Sequence, residues 1–225
     1  MPVKYSRIEE LALITLNRPE ALNALSVEVV KKIGEAIDKT AASDARALLI
    51  TGEGEKAFCA GADISEFMDR DIVEAFEAAE IGQNTFAKLD NLGIPSLAVI
   101  NGYALGGGLE LALCCDIRIG SENAKLGLPE VNIGIMPGSG GTQRLARIVG
   151  MAHALDMTLT GMHINAEHAL RIGLITQIVS SSDLMESANK IAETISQKAP
   201  LGVRFSKEAI RKGTEMNLSD GLAFE

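Results

Sequence analysis

Apolar positions recur along this chain with two periods, and the alternation between them lays out its elements. Leu11–Leu16 is a short run with β-branched residues that stops at Asn17-Arg18-Pro19, where proline ends a ladder; a strand is predicted there. Ser26 then has the chemistry of a helix N-cap, with Glu28 in the first turn, and Val30, Ile33 and Ile37 follow at helical spacing to about Thr40. Residues 45–50 predict a second strand, and a glycine-punctuated loop covers residues 51–56. A long helix of mixed polarity is expected from Asp71 to about Asn91. Ser96–Ile100, bounded by Pro95 and by Asn101-Gly102, reads as a buried strand.

Three glycines (Gly106, Gly107, Gly108) then open an apolar helix over residues 109–115 that a single carboxylate, Glu110, interrupts. Residues 116–120 alternate as a further strand with Ile117 and Ile119 on one face. Residues 127–141, rich in glycine and carrying Pro129 and Pro137, are expected to form an irregular loop. Thr142 is placed as the cap of a helix running to Gly150, and a second helix continues to about Thr160, with Gly161 at its C-cap. Asn165 caps a short helix ended by Gly173, and residues 174–179 form the last strand. From Ser182 the pattern is helical, broken only at Ala199-Pro200. Strand–helix units thus alternate to about residue 180 and helices follow alone, an α/β core with a helical C-terminal portion. No internal sequence repeat is visible.

Composition narrows the class. The 225 residues fit one large domain or one domain with an appendage, and at 47% hydrophobic and 23% charged they have the proportions of a soluble globular protein. With 4% aromatic residues and no Trp, the core has to be built from Ala, Leu, Ile and Val. Lys plus Arg is 21 against 30 Asp plus Glu, a net charge of −9 without a basic tract, which argues against nucleic acid as a partner. The N-terminus lacks the apolar stretch of a signal peptide, and no run reaches the length of a membrane span. Cys59, Cys114 and Cys115 are odd in number and two are adjacent, so they read as small buried apolar residues in a reducing cytoplasm.

Several chemistries fall away on spacing. There is no phosphate-cradling G-x-x-x-x-G-K-[ST] loop, and Gly138-Ser139-Gly140-Gly141 follows a loop rather than the strand a dinucleotide fingerprint needs. His153, His163 and His168 have no cysteine or carboxylate partners at metal-ligand spacing, and Ser139 sits in only a degenerate nucleophile elbow. Two turns and two acids remain. Taken alone, residues 94–119 fit either a tight strand–helix turn with a solvated Glu110 or a turn whose free amides and carboxylate act on a ligand. The amides of Ala62, in the Ala60-Gly61-Ala62-Asp63 turn, and of Gly107 are candidate donors to one carbonyl oxygen. Glu110 and Glu130 are the acid–base candidates, although Glu130, following Pro129 in a glycine-rich loop, reads on its own as a solvated surface residue.

Four segments in order carry a resemblance: N-R-P-E-A-L-N-A-L (17–25), A-F-C-A-G-A-D-I (57–64), N-G-Y-A-L-G-G-G-L-E-L-A-L-C-C-D (101–116) and L-G-L-P-E-V-N-I-G-I-M-P-G-S-G-G-T-Q-R-L (126–145). Over essentially its whole length the sequence resembles the enoyl-CoA hydratase/isomerase (crotonase) superfamily. The resemblance implies a crotonase-like spiral of ββα units, with a core over residues 1–195 and the start of a helical trimerisation region over residues 196–225. It implies that Ala62 and Gly107 hold the thioester oxygen of an acyl-CoA, and that Glu110 and Glu130 are the hydratase acid–base pair, one polarising water and the other protonating C2. It further implies that Ala21, Leu22, Ala60, Asp63 and Ile64 lie along coenzyme A and that Gly138 helps place the attacking water.

The implied reaction is reversible addition of water to a short-chain trans-2-enoyl-CoA. No metal or separate cofactor is implied, coenzyme A being part of the substrate, and the implied assembly is a homotrimer or homohexamer without membrane or nucleic-acid partners. A Δ3,Δ2-enoyl-CoA isomerase, which needs one acid–base group, is the alternative within the fold, and a non-catalytic acyl-CoA-binding protein the alternative outside it. The family's pattern continues past residue 225, so the sequence is expected to lack a C-terminal stretch that, with the segment around residues 67–76, lines the acyl pocket.

Overall fold

The computed structural model describes residues 1–66 and 71–225. The chain opens with an antiparallel hairpin, β1 (Val3–Ile8) and β2 (Leu11–Leu16), Val3 opposite Leu16 and Ile8 opposite Leu11. The sequence reading missed β1. It is an edge strand whose outer face carries Lys4, Ser6 and Ile8, so it has no unbroken apolar run. Helix α1 (Val27–Ala41) follows, its N-terminus closed by Ser26 Oγ, which accepts from the Val29 amide.

Next come β3 (Ala47–Gly52), β4 (Ala57–Cys59), α2 (Ile72–Asp90), β5 (Ser96–Ile100), β6 (Tyr103–Leu105), α3 (Gly107–Cys114), β7 (Ile117–Ser121) and β8 (Lys125–Gly127). The chain continues through α4 (Gly141–Val149), α5 (Met151–Thr160), β9 (Ile164–Asn165), α6 (Ala166–Arg171), β10 (Gln177–Val179), α7 (Leu184–Ser196), α8 (Pro200–Gly213) and α9 (Leu218–Phe224). Three times, a strand is followed by a three-residue strand and then a helix: β3–β4–α2, β5–β6–α3 and β7–β8–α4. That repeat is the expected spiral of ββα turns.

The first strands of each unit stack into one sheet, in the order β1-β2-β3-β5-β7-β10, parallel from β2 onward. The short strands form a second sheet, β4-β6-β8-β9, in which β4, β6 and β8 are parallel. One face of the large sheet packs Ile14, Leu16, Leu48 and Ile50 into the main core with Phe58, Phe86 and Leu109. Leu49, Leu97, Val99 and Ile119 on its other face are covered by Leu184, Ala188 and Ala192 of α7. A parallel sheet buried on both faces has continuous apolar strands, which is why β3 and β5 read so plainly in the sequence.

The structure corrects the sequence reading at several points. The short strands were not expected; three residues are too few to show a period. Residues 127–141 are not all irregular, since Gly127 ends β8 and a 3-10 turn spans Glu130–Ile133. Thr142 does not cap α4: Gly140, at φ 103°, occupies that position and Thr142 lies inside the first turn. The final strand is shorter than predicted and begins at Gln177. Gly161, at φ 61°, ends α5 as expected, and Asn165 caps α6 by accepting from the His168 amide. All three cysteines are free and buried. Among the described residues, no helix is long and apolar enough to cross a membrane.

Candidate active site

The three parallel short strands end side by side, and the turns that leave them supply the candidate groups. The turn after β4 carries Ala62, the turn after β6 carries Gly106 and Gly107, and Glu130 follows β8. Ligands of parallel sheets gather at these carboxyl ends, where connecting turns present free backbone groups.

Ala62 forms an isolated parallel bridge with Leu25. The bonds of that bridge come from its neighbours: the Leu25 amide donates to Gly61 O at 2.8 Å, and the Asp63 amide donates to Leu25 O at 2.9 Å. In such a pairing the bridged residue's own N–H points the opposite way. The Ala62 amide therefore points away from Leu25 and has no acceptor among the described residues. Gly61, at φ 116°, makes the turn, and a Cβ there would stand 3.2 Å from Leu105 O at the end of β6. The Asp63 carboxylate is occupied by Ser65 and by Arg18, 2.9 Å away, and these two hold its pKa below the usual carboxylate range.

Gly107 is the first residue of α3, so its amide is one of those without an intrahelical acceptor. A Cβ on Gly107 would stand 3.7 Å from Ala62 N, 3.9 Å from Glu110 Oε2 and 3.2 Å from Leu25 Cδ1. A Cβ on Gly106 would stand 3.1 Å from Glu130 Oε1. The space above these two consecutive glycines is thus bounded by an amide donor and by both carboxylates.

Glu110 is only 3% exposed. Its Oε1 accepts from two amides, Ser139 at 2.7 Å and Gly141 at 2.8 Å, and so serves as the acceptor at the N-terminus of α4 that Thr142 does not provide. Burial pushes its carboxyl up; the Gly141 and Ser139 amides and the Arg144 guanidinium pull it back. Oε2 is left facing the space over Gly107. Glu130 is held differently. Its Oε2 is buried without a hydrogen-bond partner among the described residues, and burial, with the charge of Glu110 adding to it, raises its pKa to about 7. The larger cause in both acids is desolvation rather than mutual repulsion.

Both carboxylates open on a cleft of about 2200 Å³ that is lined also by Ala60, Ala62, Gly107 and Gly138. Ile64 lies on its wall, as does Phe76 of α2, 71% exposed; residues 67–70, part of the expected acyl-pocket segment, lie outside the described residues. Ala21, Leu22 and Asp63 do not line the cleft. Ala21 ends a 3-10 turn and Leu22, left-handed at φ 51°, accepts from the Ala60 amide at 3.0 Å, so this loop backs the Ala60–Ala62 turn from behind. Sequence reasoning assigned no role to Ser139, Gly141 or Arg144. Their contacts with Glu110 run through main-chain amides and space, and no pairing of side-chain types announces them.

The enoyl-CoA hydratase/isomerase family model matches residues 7–225. A short-chain-enoyl-CoA hydratase of Clostridium acetobutylicum is 46% identical over 217 residues, 96% of this chain and 83% of that protein. A crotonyl-CoA hydratase of Syntrophomonas wolfei is 44% identical over 220 residues, 96% of this chain and 84% of that protein. The crystal structure of an enoyl-CoA hydratase from Bacillus anthracis matches with a TM-score of 0.97 at 38% identity, covering 100% of this chain and 88% of its own. With its fold, its paired carboxylates and these relatives, the chain belongs to the enoyl-CoA hydratase/isomerase family.

Proposed function

We propose that this chain is a hydro-lyase that adds water reversibly across the double bond of a short-chain trans-2-enoyl-CoA, giving the 3-hydroxyacyl-CoA. The thioester oxygen sits over Gly107 and takes hydrogen bonds from the Ala62 and Gly107 amides. As water attacks C3, negative charge moves onto that oxygen, where fixed donors in a water-poor cleft stabilise it most; one such donor is worth about 10²–10³ in rate. The α3 N-terminus behind Gly107 adds to the same charge.

Glu110, whose Oε1 is already saturated by two amides, is the ionised partner and uses Oε2 to orient and deprotonate the water. Glu130, with a pKa of about 7 and no donor on Oε2, is the protonated partner and delivers its proton to C2. Gly138 lies in the cleft beside them and helps place the water. Ala60 and Ile64 line the path of coenzyme A, with Ala21, Leu22 and Asp63 holding that turn from outside. The observation that carries the reading is that both carboxylates and the Ala62 amide converge on the space above Gly106 and Gly107. An isomerase needs only one acid–base group, so the pair favours hydration.

Leu201, Phe205 and Ile210 of α8 and Leu222 of α9 expose large apolar side chains, which supports assembly into a homotrimer or homohexamer through these helices. The test is hydration of crotonyl-CoA, followed as loss of enoyl-thioester absorbance. Native protein turns over, and Glu110→Gln and Glu130→Gln each lose nearly all activity. Full activity in both variants overturns the reading.

A further inference from the structure

Glu110 depends on a loop with no regular structure of its own, because Ser139 and Gly140 lie between the Glu130–Ile133 turn and α4. What holds that loop is a charged side chain. Arg144 of α4 donates through Nη1 to Ser139 O at 3.2 Å and through Nη2 to Asp90 Oδ2 at 2.5 Å. Asp90, the last residue of α2, gives its other oxygen to Nη1 of Arg211 on α8 at 2.7 Å. Arg211 returns the circuit to the helix that bears Glu110: Nη2 donates to Cys114 O at 2.7 Å, and Nε to Asp116 Oδ1 at 2.8 Å.

The chain of contacts is closed, running from Glu110 through Ser139, Arg144, Asp90, Arg211 and Cys114 back into α3. Two glycines make room for it. A Cβ on Gly140, already at φ 103°, would run into the Arg144 guanidinium, and one on Gly82 of α2 would stand 2.5 Å from Ser139 Oγ.

We propose that Arg144 is a positioning residue for Glu110: it pins the Ser139 carbonyl so that the Ser139 and Gly141 amides stay on one carboxylate oxygen, and Asp90 and Arg211 fix its place relative to α3. The proposal rests on the assignment of Glu110 as the group that activates water. A guanidinium bonded to two separate acceptors suits such a role because the planar fork fixes direction as well as charge. The charged groups around the pair are few. Arg144 acts on Glu110 and Glu110 on Glu130, while Asp90, the Cys114 thiol and Glu110 act on Arg144. The Arg144 charge opposes the upward push that burial gives Glu110. Its removal raises the Glu110 pKa, so the pH below which activity is lost moves upward.

The experiment compares Arg144→Gln, Arg144→Lys, Asp90→Asn and Glu110→Gln with native protein, using crotonyl-CoA hydration across pH. A displaced catalytic group costs rate more than binding, so kcat of Arg144→Gln is expected to fall about 10- to 100-fold while KM stays within a factor of about 3. Its acid limb shifts to higher pH. Arg144→Lys restores the limb, because it keeps the charge, but recovers only part of kcat. Should Arg144→Gln not fold, Arg144→Lys and Asp90→Asn decide: lowered kcat at native KM in both supports the proposal, and native kcat in both overturns it. A folded Arg144→Gln with native kcat and an unmoved acid limb also overturns it, whatever its melting temperature. An inert Glu110→Gln beside that result leaves the reading of Glu110 standing, whereas a fully active Glu110→Gln removes that reading itself.

Discussion

A methyl group on Gly141 would stand 3.0 Å from both Cγ and Oε1 of Glu110, the oxygen that the Gly141 amide holds at 2.8 Å. Glycine here is a matter of contact rather than of backbone angle. Gly141→Ala is therefore expected to fold, with Glu110 displaced by a few tenths of an ångström. Displacements of about 1 Å cost about 10²-fold, so the loss in kcat is expected to be about tenfold. Steady-state kinetics beside a thermal melt checks this; unchanged kcat shows that the grip on Oε1 is not needed for turnover.

Gly107→Ala separates activity from stability more sharply. The new methyl comes within 4 Å of both Ala62 N and Glu110 Oε2, where the thioester oxygen is proposed to sit, and its nearest neighbour is the end of the Leu25 side chain at 3.2 Å. Gly107 has no left-handed φ, and alanine in a helix is favoured over glycine by up to about 1 kcal/mol. Stability to urea is expected to hold or rise while hydration falls by about 10² or more. Wild-type turnover in this variant overturns the location of the oxygen.

The pH dependence of catalysis follows from one shared proton. In the proposed mechanism hydration starts with Glu130 protonated and Glu110 ionised and ends with the reverse, so both directions use the singly protonated pair. The basic limb of kcat/KM is expected near pH 7, where Glu130 gives up its proton, and it coincides for hydration and dehydration. Separate basic limbs in the two directions rule out a shared proton.

Glu130 also links stability to pH. Its folded pKa of about 7 lies above the ordinary carboxylate value of 4.5, so the folded protein holds this proton more tightly than the unfolded chain. That contribution is fully present below pH 4.5 and is lost as pH rises through about 7. Glu130→Gln carries no such proton, and its stability is expected to change less than native between pH 5 and pH 8. Denaturant unfolding at the two pH values measures the difference, and equal changes in both proteins count against a buried, protonated Glu130.

Asn23 supports the site from the side away from the cleft. It is buried at φ 58°; its amide nitrogen donates to Ala57 O at 2.8 Å and Glu53 O at 3.1 Å, and its oxygen accepts from the Arg18 amide at 2.9 Å. Asn23→Ala strands these groups in a left-handed position that alanine disfavours. A loss of about 2–4 kcal/mol in unfolding free energy is expected. A loss below about 0.5 kcal/mol, the size of an ordinary surface change, contradicts this account.

How far the sequence could be read depended on the range of each interaction. Ser26, Asn165 and Gly161 act on their own helices, and their places were legible. So were β3 and β5, whose two buried faces leave no polar position to break the run. The edge strand β1 and the three-residue strands β4, β6 and β8 were not, although β4, β6 and β8 align the turns of the site. The candidates Ala62, Gly107, Glu110 and Glu130, which the structure brings to one cleft, were reached through glycine turns, a carboxylate in an oily helix and a family likeness. The two amide bonds that tie Glu110 to Ser139 and Gly141 span about thirty residues and come from the main chain, so no side-chain pattern marks them.

The Leu25–Ala62 bridge has a consequence for how such a protein changes over generations. The donor it turns toward the cleft is a main-chain atom, and the Gly107 donor is another; any substitution except proline leaves an N–H in place at either position. Apart from proline, only substitutions that fill the space or unseat the turn can silence them. The two carboxylates have no such protection, since one nucleotide can remove either. Inherited variation can thus delete a carboxylate outright at Glu110 or Glu130, whereas at Ala62 and Gly107 it acts through shape, as a methyl on Gly107 would.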